Sequence, residues 1–178
     1  MICVGVLLAA CGREAVPGAA LPLQIERFRS ASLTELDAED VAAEAVDRTG
    51  LADVLDAAGF ESAIRRSYSG IGPGIRRVEV LLLRFDSGSG AARYLEWQRS
   101  HVSDIIGNAS VAPQHELVGI PVYVHLPDGC CPKEQVVALA AWRDGPYVAR
   151  ALVAGADADG PQTLELLAAL RRGISTDA

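Results

Sequence analysis

The stretch IRRVEVLLLRF, Ile75 to Phe85, constrains the fold more than any other part of the chain. Read as an extended strand, it puts Val78, Val80 and Leu82 on one side and Leu81, Leu83 and Phe85 on the other. A strand that is apolar on both sides is central to its sheet and covered twice. Glu61 to Ser69 reads as its partner, with Gly70-Ile71-Gly72-Pro73-Gly74 as the loop between them. Gly119 to Leu126, Glu134 to Arg143 and Tyr147 to Val153 supply three more strands. The last two form a hairpin around Asp144-Gly145. Because Pro146 has no N–H to donate, a four-residue loop is expected there in place of a tight turn. That pairing gathers Ala138, Ala140, Ala149 and Ala151 on one face, a smooth surface on which a helix could sit closely or which could floor a pocket.

Helical periodicity fills the intervals. Leu36 to Val46 carries Asp37, Glu39 and Asp40 at its start, where carboxylates suit the helix dipole. Thr49 is the expected N-cap of the next helix, with Leu51, Val54, Leu55 and Ala58 on one face and Gly59 closing it. Ser87 or Ser89 caps a helix running to about Ile106, with Ala91, Leu95, Val102 and Ile106 as the buried stripe and Gly107 as its terminator. Pro161 suits a first helical position, Leu164, Leu167 and Leu170 face inward, and Arg171 and Arg172 suit the C-terminal end before Gly173. Residues 25 to 34 fit either a strand or a docking segment. The reading is an α+β domain: a single antiparallel sheet of about five strands with helices packed on one face.

The chain of 178 residues is half hydrophobic and 22% charged, the balance of an ordinary globular protein. Lys133 is its only lysine, and the net charge is −7. That field opposes nucleic acid and opposes docking on anionic lipid by charge alone, so no nucleic-acid partner is expected.

The first residues, MICVGVLLAACGRE, have a different character. Ile2 to Ala10 is a short apolar run ending in small residues, the form of a secretory signal, and the chain turns polar directly after Cys11. Leu8-Ala9-Ala10-Cys11 resembles the lipobox of bacterial lipoproteins. The resemblance implies that residues 1–10 are a signal peptide, that Cys11 becomes the mature N-terminus, and that its thiol carries a diacylglyceryl group. No Lys or Arg precedes the apolar run, so translation is expected to start upstream of Met1. Residues 11–24, with Pro17, Gly18 and Pro22, read as the lipidated cysteine and a flexible tether, and residues 25–178 as the single domain. LADVLDAAGF, VEVLLLRFDSGSGAARYLEW and AAWRDGPYVARALV together resemble uncharacterised extracytoplasmic lipoproteins of high-GC Gram-positive bacteria. This second resemblance implies a fold and a location on the outer side of the cell membrane, and brings no catalytic residues.

With Cys3 removed in the signal and Cys11 taken by lipid, Cys130 and Cys131 are left to each other within one chain. Outside the membrane thiols tend to oxidise. Yet neighbouring Cα atoms lie about 3.8 Å apart, shorter than the usual disulfide span, so a bridge between them would strain the loop. The pair is a candidate for a disulfide or redox role, either stiffening a loop or forming a rigid knuckle at a binding site. His115 and His125 with these cysteines could form a soft metal site, but the spacing matches no zinc pattern, and no metal is expected. Asp86-Ser87-Gly88-Ser89-Gly90 lacks the phosphate-loop lysine and reads as a helix cap. Arg65-Arg66 and Arg76-Arg77 could hold an anion or simply face solvent at strand ends. There is no G-x-S-x-G motif, and catalytic residues and cofactors are expected to be none. The function expected is a non-catalytic binding, sensing or interaction module, held at the membrane by its lipid and meeting an envelope protein or a small ligand. The alternative is a redox or metal-handling envelope protein built on Cys130 and Cys131.

Overall fold

In a computed structural model, residues 16–70, 74–106, 113–125 and 136–174 are described. In chain order they form β1 (Gln24–Ile25), β2 (Phe28–Leu36), α1 (Ala38–Ala42), α2 (Arg48–Ala57), β3 (Phe60–Ser69), β4 (Ile75–Phe85), α3 (Gly88–Ser100), α4 (Val102–Ile106), β5 (His115–Leu117), β6 (Ile120–His125), β7 (Val137–Asp144), β8 (Tyr147–Gly155) and α5 (Pro161–Gly173). The fold is α+β with one antiparallel sheet of eight strands, ordered β1-β2-β3-β4-β8-β7-β6-β5. The chain meanders from one edge to the centre, crosses through α3 and α4 to the far edge, and meanders back. β4 and β8 meet in the middle, with Val80 opposite Ala151.

The strand count corrects the expectation of about five. The three additional strands are β1, β2 and β5. Two are too short to show alternation. In β2 every residue from Ala31 to Glu35 is exposed, so neither of its sides is marked by apolar residues.

The placement of the helices is a second correction, because they cover both faces. Val78, Val80 and Leu82 join Ala138, Ala140, Ala149 and Ala151 in one core with Leu166, Leu167 and Leu170 of α5. Leu81, Leu83 and Phe85 join Leu51, Leu55, Ala91, Tyr94 and Leu95 in the other. β4 thus has the two-sided cover that its sequence demands. α5 packs against both β1 and β5, the two edge strands, so the sheet curls around it. On the opposite face an aromatic row runs up α3, from Phe85 to Tyr94 at 5.3 Å, Tyr94 to Trp97 at 6.4 Å, and Trp97 stacked on His101 at 4.5 Å.

Local signals account for the helix ends. Asp37 accepts the Asp40 N–H at 2.9 Å, and the Asp40 carboxylate accepts from the Asp37 N–H, a reciprocal cap. Asp47, not Thr49, caps α2 by accepting the Gly50 N–H at 2.9 Å, which places Thr49 inside the first turn. Ser87 caps α3 through the Gly90 N–H at 3.1 Å. The helix expected to reach Ile106 breaks at His101 and resumes as α4. The β7–β8 hairpin is tighter than expected: Asp144 pairs with Tyr147 across only Gly145 and Pro146. Gly145 takes a φ of +53°, and a turn with glycine first does not use the N–H of the residue that proline replaces.

Core packing begins ahead of Ile25. Val16, Ala20 and Leu21 are buried in the core with α5. Arg66, 5% exposed, donates to the Gly18 carbonyl at 3.0 Å and to the Ser30 hydroxyl at 2.9 Å. The Tyr68 hydroxyl donates to the Pro22 carbonyl at 2.8 Å. Burial raises the Tyr68 hydroxyl above the ordinary phenol range, with Arg66 opposing, so it remains a neutral donor. The tether expected through residue 24 is therefore shortened, since residues 16–22 are fixed to the sheet. A chain lacking residues 1–24 should unfold at a clearly lower urea concentration than one lacking residues 1–15. Each large buried side chain removed contributes about 1.5–3 kcal/mol. Equal midpoints would show that this segment adds nothing to the core.

Candidate functional site

Cys11, Cys130 and Cys131, the residues that the sequence singles out, lie outside the described residues, as does the loop from Pro127 to Pro132. The two histidines of the considered metal set are separated. His115 lies opposite Val122, on the α5 face, while His125 alternates with Val124 and so points to the other face. Among the described residues no group of three His, Cys, Asp or Glu side chains could hold a metal ion.

Of the arginine pairs flanking the β3–β4 loop, Arg65, Arg66 and Arg77 serve the fold. Arg66 anchors the N-terminal turn, as above. Arg65 reaches Glu44 at 2.9 Å and Glu79 at 3.9 Å, and Arg77 pairs with Glu79. Glu44, in the turn between α1 and α2, also grips Arg150 of β8. Arg150 is only 2% exposed and lies beneath Tyr94. Burial works against its charge, and the Glu44 and Glu79 carboxylates beside it favour that charge. One carboxylate thus fastens the α1–α2 turn to two strands.

A different set of residues forms a cleft at one end of the sheet. The alanine face is both seat and floor. α5 joins its core, and beside the helix C-terminus a cavity of about 270 Å³ remains, floored by Leu82 and Ala149 and walled by Trp142, Tyr147 and Ile174. Trp142, Arg143 and Arg171 also line a second cavity of about 420 Å³, which continues between α3 and the β5–β6 turn to Leu95, Arg99 and Val118. The two cavities are neighbouring lobes that share three lining side chains. The larger lies within the size of a small-molecule site, roughly 300–1,000 Å³, and the smaller just below it.

Arg99, Arg143 and Arg171 are exposed and have no carboxylate partner among the described residues. This contrasts with the paired arginines of the sheet. Arg143 is held in place by donating to the Gly88 carbonyl at 2.7 Å. Glu96 and Asp144 are the carboxylates at the cleft, one in each lobe. Three guanidinium groups therefore face two carboxylates in a molecule whose net charge is −7. Guanidinium groups bind carboxylates and phosphates through paired N–H donors, so the cleft can hold an anion despite the overall field.

Sequence reasoning missed this site because its arginines come from α3, β7 and α5. Arg171 was accounted for by its helix end, and Arg143 by its place near a turn. The Trp142 to Tyr147 hairpin and the alanine face were the visible signals, and both do border the cleft. The chain matches no family model, no curated protein and no solved structure.

Proposed function

We propose that this chain is a lipid-anchored, extracytoplasmic module of the cell envelope that binds a small ligand in the Trp142 cleft and does not catalyse a reaction. The cleft carries the reading: a two-lobed cavity with an aromatic wall and three arginines that have no carboxylate partner among the described residues, set in a sheet whose other polar contacts fasten the fold. Such a concave site, where polar groups converge beside a few apolar side chains, can recognise a small molecule. The anchor rests on Leu8-Ala9-Ala10-Cys11 and its resemblance to a lipobox. Several acyl chains hold a protein firmly at a bilayer, where one alone holds it only marginally.

Expressed with a complete signal in a Gram-positive host, the protein should fractionate with the membrane and enter the detergent phase. Cys11→Ala should release it or leave it unprocessed. Processing and retention like the wild type would sink the anchor. The binding half is tested separately, by the melting temperature of the full chain against a panel of small charged and neutral compounds. A binding module should be stabilised by at least one of them, and by less when Trp142 is replaced by alanine.

A further inference from the structure

The β5–β6 turn at the mouth of the larger lobe holds a residue in a conformation that does not suit it. Val118 has a φ of +48° and is 81% exposed, followed by Gly119 at +77°. A two-residue hairpin turn of this kind favours Asn-Gly, because a β-branched side chain in the left-handed region clashes with its own backbone. The Glu116 carboxylate braces the turn by accepting the Gly119 N–H at 3.2 Å. An exposed valine in a strained turn contributes nothing to folding that asparagine would not supply better. What it does supply is an apolar group at the rim of the lobe, which Leu95, Ile120 and Trp142 also line. Strain held at the mouth of a cavity is the kind retained where the side chain has a use.

The charge lines the same cleft. Arg143 and Arg171 line both lobes, and Arg99 lines the larger lobe. We infer that the ligand is an amphiphilic anion, a compact apolar body ending in a carboxylate or phosphate. The anionic end is bound by Arg143 and Arg171, with Arg99 completing its shell. The apolar body lies in the larger lobe under Val118. This rests on the binding reading above and narrows it to one chemistry. That chemistry could reach the protein as a free fatty acid or as the phosphate end of a lipid.

The probes are decanoate, decyl phosphate and decanol, each below its micelle concentration, with inorganic phosphate as the bare anion. Each is titrated into the purified full chain by calorimetry. Decanoate and decyl phosphate should bind at least about tenfold more tightly than decanol or inorganic phosphate, the margin expected of one charge-assisted hydrogen bond. Preference between the two anions separates the fatty-acid source from the phosphate source. Arg143→Ala and Arg171→Ala should each weaken the better anion by about tenfold or more and leave decanol unchanged. Val118→Asn should raise the melting temperature while weakening both anionic amphiphiles, a split that a purely structural valine would not give.

Equal binding of decanol and decanoate would overturn the anion assignment. Val118→Asn binding as tightly as wild type would overturn the role given to Val118. If no amphiphile binds but a compound from the melting-temperature panel does, this inference fails and the binding module stands. If nothing binds in either experiment, both fail.

Discussion

Replacing Glu44 with glutamine is expected to lower the free energy of unfolding by about 3–5 kcal/mol, the loss seen when one partner of a buried ion pair is removed. The reason lies in Arg150, which is 2% exposed and takes Glu44 as its ion-pair partner. Without that carboxylate a charged guanidinium remains in the core beside Tyr94, and Arg65 loses its closer partner as well. The loss is a large share of what an ordinary domain possesses, about 5–15 kcal/mol. Arg65→Gln should cost far less, because Arg65 is partly solvated and the Glu44–Arg150 pair survives its removal. Removing both buried charges with apolar groups, Glu44→Leu with Arg150→Met, should recover much of the deficit. Urea denaturation of the four proteins measures all of this. A loss under about 1 kcal/mol for Glu44→Gln would mean that water already screens the pair.

The second large effect is expected at Gly90. Glycine to alanine inside a helix ordinarily gains up to about 1 kcal/mol. Here the sign reverses, because a Cβ on Gly90 would stand 1.9 Å from the backbone carbonyl oxygen of Ala58. The obstacle is main chain at the end of α2 and cannot rotate aside. Nor can the two helices easily separate, since the Asp86 N–H donates to the Gly59 carbonyl at 2.8 Å directly beside the contact. Gly90→Ala should therefore destabilise the protein by about 3 kcal/mol, the upper end of ordinary overpacking. Gly88→Ala is the control. Its nearest neighbours would stand at 3.4 Å, an ordinary contact, so its stability should change little. Similar melting temperatures for the two variants would show that α2 and α3 can shift apart at no cost.

How far the fold is legible from the sequence depends on whether each element's neighbours leave a periodic mark. β4 does, because both of its sides are buried, and the expected Ile75 to Phe85 coincides with the strand. α2 does, through Leu51 and Leu55, both fully buried. β2 leaves no such mark, because from Ala31 to Glu35 it is solvated on both sides and is recognisable only by its ladder with β3. Residues 16–22 resemble a tether, because prolines and glycines hide the contacts that Arg66 and Tyr68 make from β3. The Val118-Gly119 turn is hidden by the residue that makes it informative, since valine is not a turn former. Arg99, Arg143 and Arg171 illustrate the general obstacle. Each has a sufficient local explanation, and only the fold brings them to one cleft.

The central joint between β4 and β8 has a consequence for how the molecule assembles. Within each meander the paired strands are neighbours along the chain, so those ladders can form from local encounters. The joint instead closes across the whole crossover, and pairing at long range is slow because the loop entropy must be overcome first. Until it closes, each half presents its worst edge: β4, and on the other side β8 with its run of valines and alanines, both built to be covered. The finished sheet ends on far safer edges, a nearly polar β2 beyond the two-residue β1 and a three-residue β5. The hazard in making this protein is thus confined to an interval before docking, when a β4 can pair with the β8 of another copy as well as with its own. A high local concentration of unfinished chains would favour that exchange, and the same two strands that make the fold secure would then join two chains into one.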